Sequence, residues 1–215
     1  MNTYPKGHFI CIDGIDGTGK STQIATLASL LSELQCPSVT TQDPGSTDVG
    51  RQIRALLLDS DLAIHRRTEA LLFMASRCEM VESVIRRHLD EGVSIISDRF
   101  LLSTVVYQSI EDETVDCGVP TDLLWQLGNL ANGGVQPDLT ILLDMPAARA
   151  LERLQDREQD RLESRGEAYL ERVRQTYLSE LPRSSKHTLV VDATQSIESV
   201  SAEIRAYVTH WIAAE

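Results

Sequence analysis

A glycine-rich stretch between an apolar run and an amphipathic run constrains the fold of this chain most strongly. Residues 14–21 read GIDGTGKS. The preceding run, residues 9–12, is short and apolar, which is typical of a buried parallel strand. The following run carries isoleucine and leucine at helical spacing between Ile24 and Leu34. The glycines therefore lie at a predicted strand-to-helix turn, where such a pattern predicts a phosphate-binding loop.

The chemistry of this loop follows from its position at a helix N-terminus. Backbone N–H groups and the positive end of the helix dipole converge there on an anion, and glycines allow the backbone to approach it closely. We expect Lys20 to reach the β and γ phosphates and the Ser21 hydroxyl to ligate Mg²⁺. The alternative, a glycine-rich turn with a helix-capping serine, would not require all the fixed positions to be filled. The residues expected to bind the nucleotide are Gly14, Asp16, Gly17, Thr18, Gly19, Lys20, Ser21 and Thr22.

Length and charge limit the class of protein. A chain of 215 residues is long enough to bury about 70 % of its unfolded surface, so we expect one globular domain over residues 1–215. A net charge of -12 argues against a nucleic-acid partner. No apolar run reaches the ~20 residues of a membrane span, and residues 1–8 lack an apolar export segment. The four cysteines have no short-spaced pair, so we expect reduced thiols and a cytoplasmic location.

Apolar runs and amphipathic segments alternate along the chain. We predict strands at 9–12, 38–41, 93–97, 139–143 and 189–191, and helices at 47–58, 66–91, 121–131 and 196–213, the last capped by Ser196. Residues 146–180 are predicted to be helical, interrupted by an arginine-rich stretch. This alternation predicts an α/β fold with a parallel sheet of about five strands flanked by helices. Ligands of such folds bind beyond the carboxyl ends of the strands.

The segment 66–91 is the clearest predicted helix. Its apolar face is predicted to comprise Leu71, Met74, Cys78, Val81, Ile85 and Leu89. Phe73 and Arg77, four residues apart, project from another face. There they either stack on a base and bond its edge, or are a packed phenyl ring with a surface arginine.

Three acidic or basic side chains follow predicted strands. Asp98 is positioned to hold Mg²⁺ or to accept a proton, and Arg99 to clamp an acceptor phosphate. The alternative for this pair is a structural ion pair. Asp144 is either an acid near the metal of the loop or a helix cap before Pro146.

Arginines recur every four residues between Arg149 and Arg165, with acids three residues after the first three. Such pairs usually form a solvated helix face. Roughly sixteen helical residues rise about 24 Å, so at most two or three of these arginines could touch one triphosphate. A mobile lid over about 149–165 would use such a subset to supply positive charge during phosphoryl transfer.

With these residues assembled, the chain resembles the thymidylate kinase family, P-loop enzymes that phosphorylate dTMP with ATP. The resemblance spans most of the chain. Its motifs are DGIDGTGKST from Asp13, DPG from Asp43, Thr68-Glu69 through Phe73 to Arg77, DRF from Asp98, Ser103-Thr104, Tyr107-Gln108, Pro137-Asp138 and DRLE from Asp160.

The resemblance implies roles for five acceptor-side residues. Phe73 would stack on thymine and Arg77 would bond its edge. Arg99 would hold the dTMP phosphate, Thr104 would help to read the base, and Tyr107 would crowd the 2′ position.

The resemblance also implies the catalytic set and the partners. Asp16 would contact the sugar 3′-hydroxyl, and Asp98 would work with Mg²⁺, which Ser21 also ligates. Gly17 is typical of bacterial-type members, whose catalytic arginines come from the lid. The candidates are Arg153, Arg157 and Arg161, of which we favour the first two. The family further implies Lys20 as a catalytic residue, ATP and Mg²⁺ as cofactors, dTMP and ATP as substrates, and a homodimer.

The chain departs from the family pattern at Gln42-Asp43, where bacterial-type members usually have Arg-Glu. Ile12-Asp13 replaces the usual Phe-Glu, and Phe100 stands where Tyr or His is common. Two alternatives stay open on the sequence. One is a P-loop kinase of another nucleoside monophosphate, and the other is a non-catalytic nucleotide-binding regulator with this fold.

Overall fold

One parallel five-stranded sheet forms the centre of the molecule. The computed structural model describes residues 7–58, 62–111, 118–154 and 166–214. In these ranges the strand order is β2-β3-β1-β4-β5, with every neighbouring pair parallel. The strands are β1 (Phe9–Asp13), β2 (Ser38–Gln42), β3 (Ser94–Asp98), β4 (Leu139–Asp144) and β5 (His187–Asp192). All five predicted strands are confirmed, each within two residues at either end.

β1 lies in the middle of the sheet and is buried along its whole length. Ile10 pairs with Ile96 of β3 on one side and with Leu139 of β4 on the other. Burial on both faces explains why the strand is a continuous apolar run rather than an alternating one. The strands run in the same direction, so the carboxyl ends Asp13, Gln42 and Asp98 meet at one edge of the sheet.

Helices cover the sheet between the strands. They are α1 (Lys20–Glu33), α2 (Asp48–Leu58), α3 (Arg66–Met80), α4 (Arg86–Asp90), α5 (Leu101–Ser109), α6 (Thr121–Ala131), α7 (Ala147–Leu154), α8 (Glu167–Glu180) and α9 (Ile197–Ala214). The predicted bounds of α6 are exact. Ser196 caps α9 as predicted, because its hydroxyl accepts a hydrogen bond from the backbone N–H of Ser199 at 3.2 Å.

The predicted helix at 66–91 is continuous but changes its winding. α3 passes through a π-helical segment, Val81–Ile85, into α4. The predicted apolar face is wrong at Leu71, which is 56 % exposed, and at Cys78, which is also exposed, whereas Arg77 is buried. The physical reason is that α3 packs against α2, α5 and α6 rather than against one neighbour. A single apolar stripe therefore does not describe its buried surface.

α5 was not predicted from the sequence. Every residue of this helix except the last is buried, so it shows no amphipathic period that would mark it as a helix. Its side chains nevertheless form one wall of the cavity described below.

Most of the buried apolar side chains of the described residues form one cluster around the sheet. Within the described ranges, no helix combines the length and the apolar character needed to cross a bilayer. Most of the predicted lid, including Arg157 and Arg161, lies outside the described residues.

Candidate active site

A cavity of about 480 Å³ lies at the carboxyl edge of the sheet. It is enclosed by the glycine-rich loop, the ends of β2 and β3, and side chains of α2, α3, α5 and α7. The predicted site residues that line it are Asp16, Gly17, Gly19, Lys20, Ser21, Thr22, Phe73, Asp98, Arg99, Thr104, Tyr107 and Arg153. Three others, Gly14, Thr18 and Arg77, do not line it. The predicted donor and acceptor residues thus share one cavity.

Three glycines of the loop, Gly14, Gly17 and Gly19, have positive φ values that other residues rarely adopt. Gly14 and Gly17 have φ values of 145° and 84°. A Cβ on Gly17 would lie 2.7 Å from the Ala150 carbonyl oxygen and 3.2 Å from Leu154 Cγ. The loop therefore lies directly against α7, the helix that leads into the predicted lid. The Thr18 hydroxyl closes the turn by donating to the Ile15 carbonyl at 2.8 Å.

Lys20 is folded back over the loop. Its Nζ donates to the carbonyl oxygens of Gly14 and Ile15, both at 3.1 Å, and to Asp16 Oδ1 at 3.0 Å. Burial lowers the pKa of Lys20 from its ordinary value, and the neighbouring Arg99 acts in the same direction. Phosphate oxygens would replace carbonyl acceptors with anionic ones, which favour the charged amine.

Asp16 joins the two halves of the cavity. Its Oδ1 accepts from Arg99 Nη2 at 2.7 Å as well as from Lys20. Burial raises the pKa of Asp16, but Arg99 and Lys20 outweigh it and hold that pKa below the ordinary value. The carboxylate is therefore ionised and fixed between a donor-side and an acceptor-side cation.

Arg99 is held in an uncommon backbone conformation. Its φ is 66°, in the left-handed region that residues other than glycine rarely adopt. The backbone N–H donates to the Ile12 carbonyl at 3.0 Å, and the Arg99 carbonyl accepts from the Ser97 hydroxyl at 2.6 Å. The guanidinium lies 5.3 Å from the centre of the Tyr107 ring. This fixation presents a planar cation at the cavity edge, which suits bidentate phosphate binding.

The other wall of the cavity carries the predicted base-binding residues. Phe73 and Thr104 line it, whereas Arg77 is 1 % exposed and lies behind Thr104. Arg77 Nη2 donates to Thr104 Oγ1 at 2.6 Å, and its Nε donates to Asp43 at 2.6 Å. The interpretation of Arg77 as a surface arginine is wrong, because a buried carboxylate satisfies its charge.

Sequence reasoning gave no role to three residues of the cavity wall. Arg54 of α2 lines it and donates to the Pro44 carbonyl at 3.0 Å. Ser103 and Gln108 of α5 also line it. Gln108 is buried, and its Oε1 has no hydrogen-bond partner among the described residues. The available signal was the spacing of polar residues in an otherwise apolar segment, at positions 103, 104, 107 and 108 of one helix face.

The residues near the loop fit a Mg²⁺ ion that also binds phosphates. Asp98 Oδ1 is buried without a hydrogen-bond partner among the described residues, and both Asp98 and Ser21 line the cavity. No group of three or more His, Cys, Asp or Glu side chains in the described ranges is arranged to hold a metal by itself. Mg²⁺ commonly takes one or two protein ligands and completes its shell with phosphates and water. One carboxylate and one hydroxyl therefore meet its requirements beside a nucleotide.

Asp144 has neither of the roles left open for it on the sequence. Both of its carboxylate oxygens accept from Arg174 of α8, at 2.7 and 2.8 Å. Asp144 does not line the cavity. Its carboxylate ties the end of β4 to α8 instead.

The cavity concentrates positive charge in an acidic protein. Its walls carry four cations, Lys20, Arg54, Arg99 and Arg153, against three carboxylates, Asp16, Asp43 and Asp98, whereas the whole chain has a net charge of -12. Among the carboxylates that line it, Asp16 is paired with two of these cations. A local positive field of this kind favours small polyanionic ligands and leaves the rest of the surface repulsive to nucleic acid.

Comparison with known proteins agrees with this geometry. A family model described as thymidylate kinase matches residues 12–204. A thymidylate kinase from Rhodopirellula baltica is 55 % identical over 203 residues, covering 94 % of this chain and 80 % of the relative. One from Thermosipho africanus is 40 % identical over 200 residues, covering 93 % and 96 %. One from Symbiobacterium thermophilum is 41 % identical over 201 residues, covering 93 % and 92 %.

The predicted fold and the predicted resemblance are both confirmed. The all-parallel sheet flanked by helices has the arrangement of a P-loop NTPase α/β fold. The matched region begins in β1 and ends within α9, so it includes every cavity residue named above. The chain belongs to the thymidylate kinase family.

Proposed function

We propose that this protein transfers the γ-phosphoryl group of ATP–Mg²⁺ to the phosphate of dTMP, giving dTDP and ADP. The observation that carries the proposal is the double pairing of Asp16 Oδ1, with Lys20 at 3.0 Å and with Arg99 at 2.7 Å. Lys20 of the glycine-rich loop and Arg99 at the end of β3 thus both contact one carboxylate, which supports a shared site for a donor and an acceptor phosphate. Phosphoryl transfer needs this proximity, because its catalysis consists mainly of positioning and charge neutralisation.

On the donor side, the loop N–H groups and Lys20 bind the ATP phosphates. Lys20 exchanges its contacts with the Gly14 and Ile15 carbonyls for phosphate oxygens. Asp98 and Ser21 hold Mg²⁺, which neutralises charge on the phosphates when it is bound. Arg153 extends from the last turn of α7 into the cavity and supplies charge from the lid side. Arg157 and Arg161 remain further candidates for that role.

On the acceptor side, Arg99 binds the dTMP phosphate, and Arg54 provides a second cation in the same cavity. Asp16 meets the 3′-hydroxyl, and the buried Tyr107 ring crowds the 2′ position. Arg54 also offsets the positive charge that is missing at Gln42, where bacterial-type members usually have arginine.

The base lies between Phe73 and the polar residues of α5. Phe73 stacks on thymine, while Thr104 and the Gln108 amide oxygen, which has no hydrogen-bond partner in the described part of the chain, face its edge. Arg77, which is proposed to bond the base edge, donates to the Thr104 hydroxyl at 2.6 Å and thereby orients it. A contact of Arg77 itself with thymine would add to that role.

We propose also that the protein is a cytoplasmic homodimer. The support for this proposal is the family resemblance. Light scattering after gel filtration tests it: a mass twice the 23.9 kDa of the chain is expected, and a monomer at micromolar concentration would refute it.

An acceptor panel tests the reaction. ADP release is measured by a coupled assay with ATP–Mg²⁺ and each of dTMP, dUMP, UMP, CMP, AMP and GMP. We expect dTMP to be the best acceptor by kcat/KM. Turnover of another monophosphate without turnover of dTMP would refute the substrate assignment and keep the kinase. ATP binding with no turnover of any acceptor would favour a regulator.

Two variants test the donor side and the acceptor side of the cavity separately. Lys20→Ala is expected to abolish turnover, and Arg99→Ala to raise the KM for dTMP far more than the KM for ATP. Arg205→Ala serves as the control, because Arg205 lies on α9 and pairs with Glu33 at the surface. Unchanged dTMP kinetics in Arg99→Ala would show that Arg99 is structural.

A further inference from the structure

A buried polar cluster lies beneath Arg99, made of Asp13, Ser103 and Tyr177. We call it the Asp13–Ser103–Tyr177 cluster. Asp13 ends β1, Ser103 is on α5, and Tyr177 is on α8, so three separate elements contribute. Asp13 is fully buried and Tyr177 is 1 % exposed. Asp13 and Tyr177 do not line the cavity, so they reach a ligand only through other side chains.

The hydrogen bonds of the cluster converge on one nitrogen of Arg99. Nη1 donates to the Tyr177 hydroxyl at 2.8 Å and to the Ser103 hydroxyl at 3.0 Å. It also donates to the Gly14 carbonyl at 3.1 Å. The Tyr177 and Ser103 oxygens are 2.6 Å apart.

The directions of these bonds follow from what each group can donate. A guanidinium donates only, so both hydroxyl oxygens accept from Nη1. The Ser103 hydroxyl donates its single proton to Asp13 Oδ1. The Tyr177 proton is therefore shared between Ser103 Oγ at 2.6 Å and Asp13 Oδ1 at 3.2 Å. The Asp13 carboxylate thereby orients the two hydroxyls, and the oriented hydroxyls hold Nη1.

The two terminal nitrogens of Arg99 consequently differ. Nη1 is held by the cluster and the loop, whereas Nη2 bonds to Asp16 at the cavity. A phosphate dianion approaching from the cavity meets the Nη2 side while Nη1 stays anchored. The left-handed backbone of Arg99 persists because such surrounding contacts hold it.

α8 fixes the position of the Tyr177 hydroxyl relative to the sheet. Arg174, one turn earlier on the same helix face, donates to Asp144 at the end of β4 through Nε at 2.7 Å and Nη2 at 2.8 Å. The Tyr177 ring packs edge-on against Tyr107, with ring centres 6.0 Å apart. Helix α8 thus meets the carboxyl edge of the sheet at Asp144 and at Asp13.

We propose that Tyr177 is a positioning residue for the acceptor phosphate, because it bonds Arg99 directly and acts together with Ser103 and Asp13 to orient it. This inference rests on the proposed function, in which Arg99 binds the phosphate of the acceptor nucleotide. A purely structural tyrosine would change stability but would not distinguish the acceptor from the donor.

Tyr177→Phe tests the inference, because it removes the hydroxyl and keeps the ring. We expect the KM for the acceptor to rise about three- to thirty-fold, which is below the roughly 10- to 150-fold range for losing a hydrogen bond to a charged group because Ser103 and Gly14 still bond Nη1. The KM for ATP should stay within about twofold of wild type, since Lys20 and the loop are untouched. Thermal unfolding followed by circular dichroism verifies that the variant is folded.

Ser184→Ala is the matched control. The Ser184 hydroxyl is buried and donates to the Leu181 carbonyl at 2.7 Å, and Ser184 does not line the cavity. This variant also loses one buried hydroxyl bond, so its melting temperature should fall while both KM values stay at the wild-type level. An acceptor KM that is likewise unchanged in Tyr177→Phe would overturn the inference.

The double variant Tyr177→Phe/Ser103→Ala adds a second readout. The two hydroxyls share Nη1, so their effects on the acceptor KM should not multiply, whereas independent sites would give the product of the single effects. A rise in the acceptor KM of the double variant equal to the product of the two single rises would contradict a shared cluster. The wild-type acceptor panel reports separately on the proposed function. If the wild type prefers another monophosphate, the same KM comparison is made with that acceptor and decides the inference alone.

Discussion

Asp16 contacts cations on both sides of the cavity, and its place could be predicted only in part. The spacing of the loop motif places Asp16 between two glycines, and family resemblance assigns it to the acceptor sugar. Its pairing with Arg99, 83 residues away in the chain, depends on how β1 and β3 lie side by side. The same holds for Asp13 and Tyr177, which are 164 residues apart. Motif spacing reports local geometry, whereas such contacts arise from tertiary packing.

Asp16→Asn should change how stability depends on acid. The folded-state pKa of Asp16 lies below its ordinary value of about 3.9, so the ionised form stabilises the fold above about pH 4 and this contribution is lost as the pH falls further. We expect the stability advantage of the wild type over Asp16→Asn to be largest near pH 7 and to shrink below about pH 4. Melting temperatures measured between pH 3 and 7 provide the comparison.

Asp122→Asn is the control for that series, because the Asp122 side chain is 79 % exposed. The difference in melting temperature between Asp122→Asn and the wild type should be the same at every pH. A wild-type advantage over Asp16→Asn that stays constant down to pH 3 would contradict the pairing of Asp16 with two cations.

For single helices and strands, hydrophobic periodicity and the turn residues beside each segment predicted most elements but not all of their buried surfaces. The strand runs and the exact bounds of α6 followed from apolar patterning and glycine signals. α5 escaped because a helix buried on all sides has no amphipathic period. The prediction of the buried face of α3 was wrong because three neighbouring helices pack against it. Arg77 is buried there because it forms an ion pair with the buried carboxylate of Asp43. Contacts between elements, rather than local preference, decide these features.

The link between β4 and α8 is expected to stabilise the base of the lid. Arg174→Met keeps the aliphatic stem and leaves the Asp144 carboxylate without its partner. We expect the free energy of unfolding to fall by about 1–3 kcal/mol, the cost of removing hydrogen bonds to a partly buried charge. Urea unfolding at pH 7 measures it.

Arg205→Met provides a matched comparison, because Arg205 makes a similar two-pronged contact with Glu33 between α9 and α1. That pair is exposed to solvent, so its loss should matter much less. Equal losses of stability in the two variants would contradict a structural role for the Asp144–Arg174 pair.

At the scale of the whole molecule, the alternation of strands and helices predicted the sheet, and the sheet brings the site together. Ordering β1 between β3 and β4 places the loop beside Asp98 and Arg99 at one edge. The family resemblance predicted which residues would share this edge. It did not predict that Arg77 lies behind Thr104, since that depends on how α3 and α5 pack.

One cluster around this sheet contains most of the buried apolar side chains of the described residues, so we expect the chain to unfold as one domain. Scanning calorimetry should show a single transition whose calorimetric and van't Hoff enthalpies agree. Saturating ATP–Mg²⁺ and dTMP should move that whole transition to higher temperature. Two separable transitions, only one of which responds to ligand, would contradict a single domain.

In the proposed reaction, donor and acceptor meet in one cavity, and the phosphoryl group passes directly from ATP to dTMP. Phosphorus-31 NMR of the wild-type protein with ATP–Mg²⁺ and dTMP follows every phosphate in the mixture at once. We expect dTDP and ADP to form in equal amounts, with no orthophosphate above the enzyme-free control. ADP accompanied by an equal amount of orthophosphate, with dTMP unchanged, would contradict it.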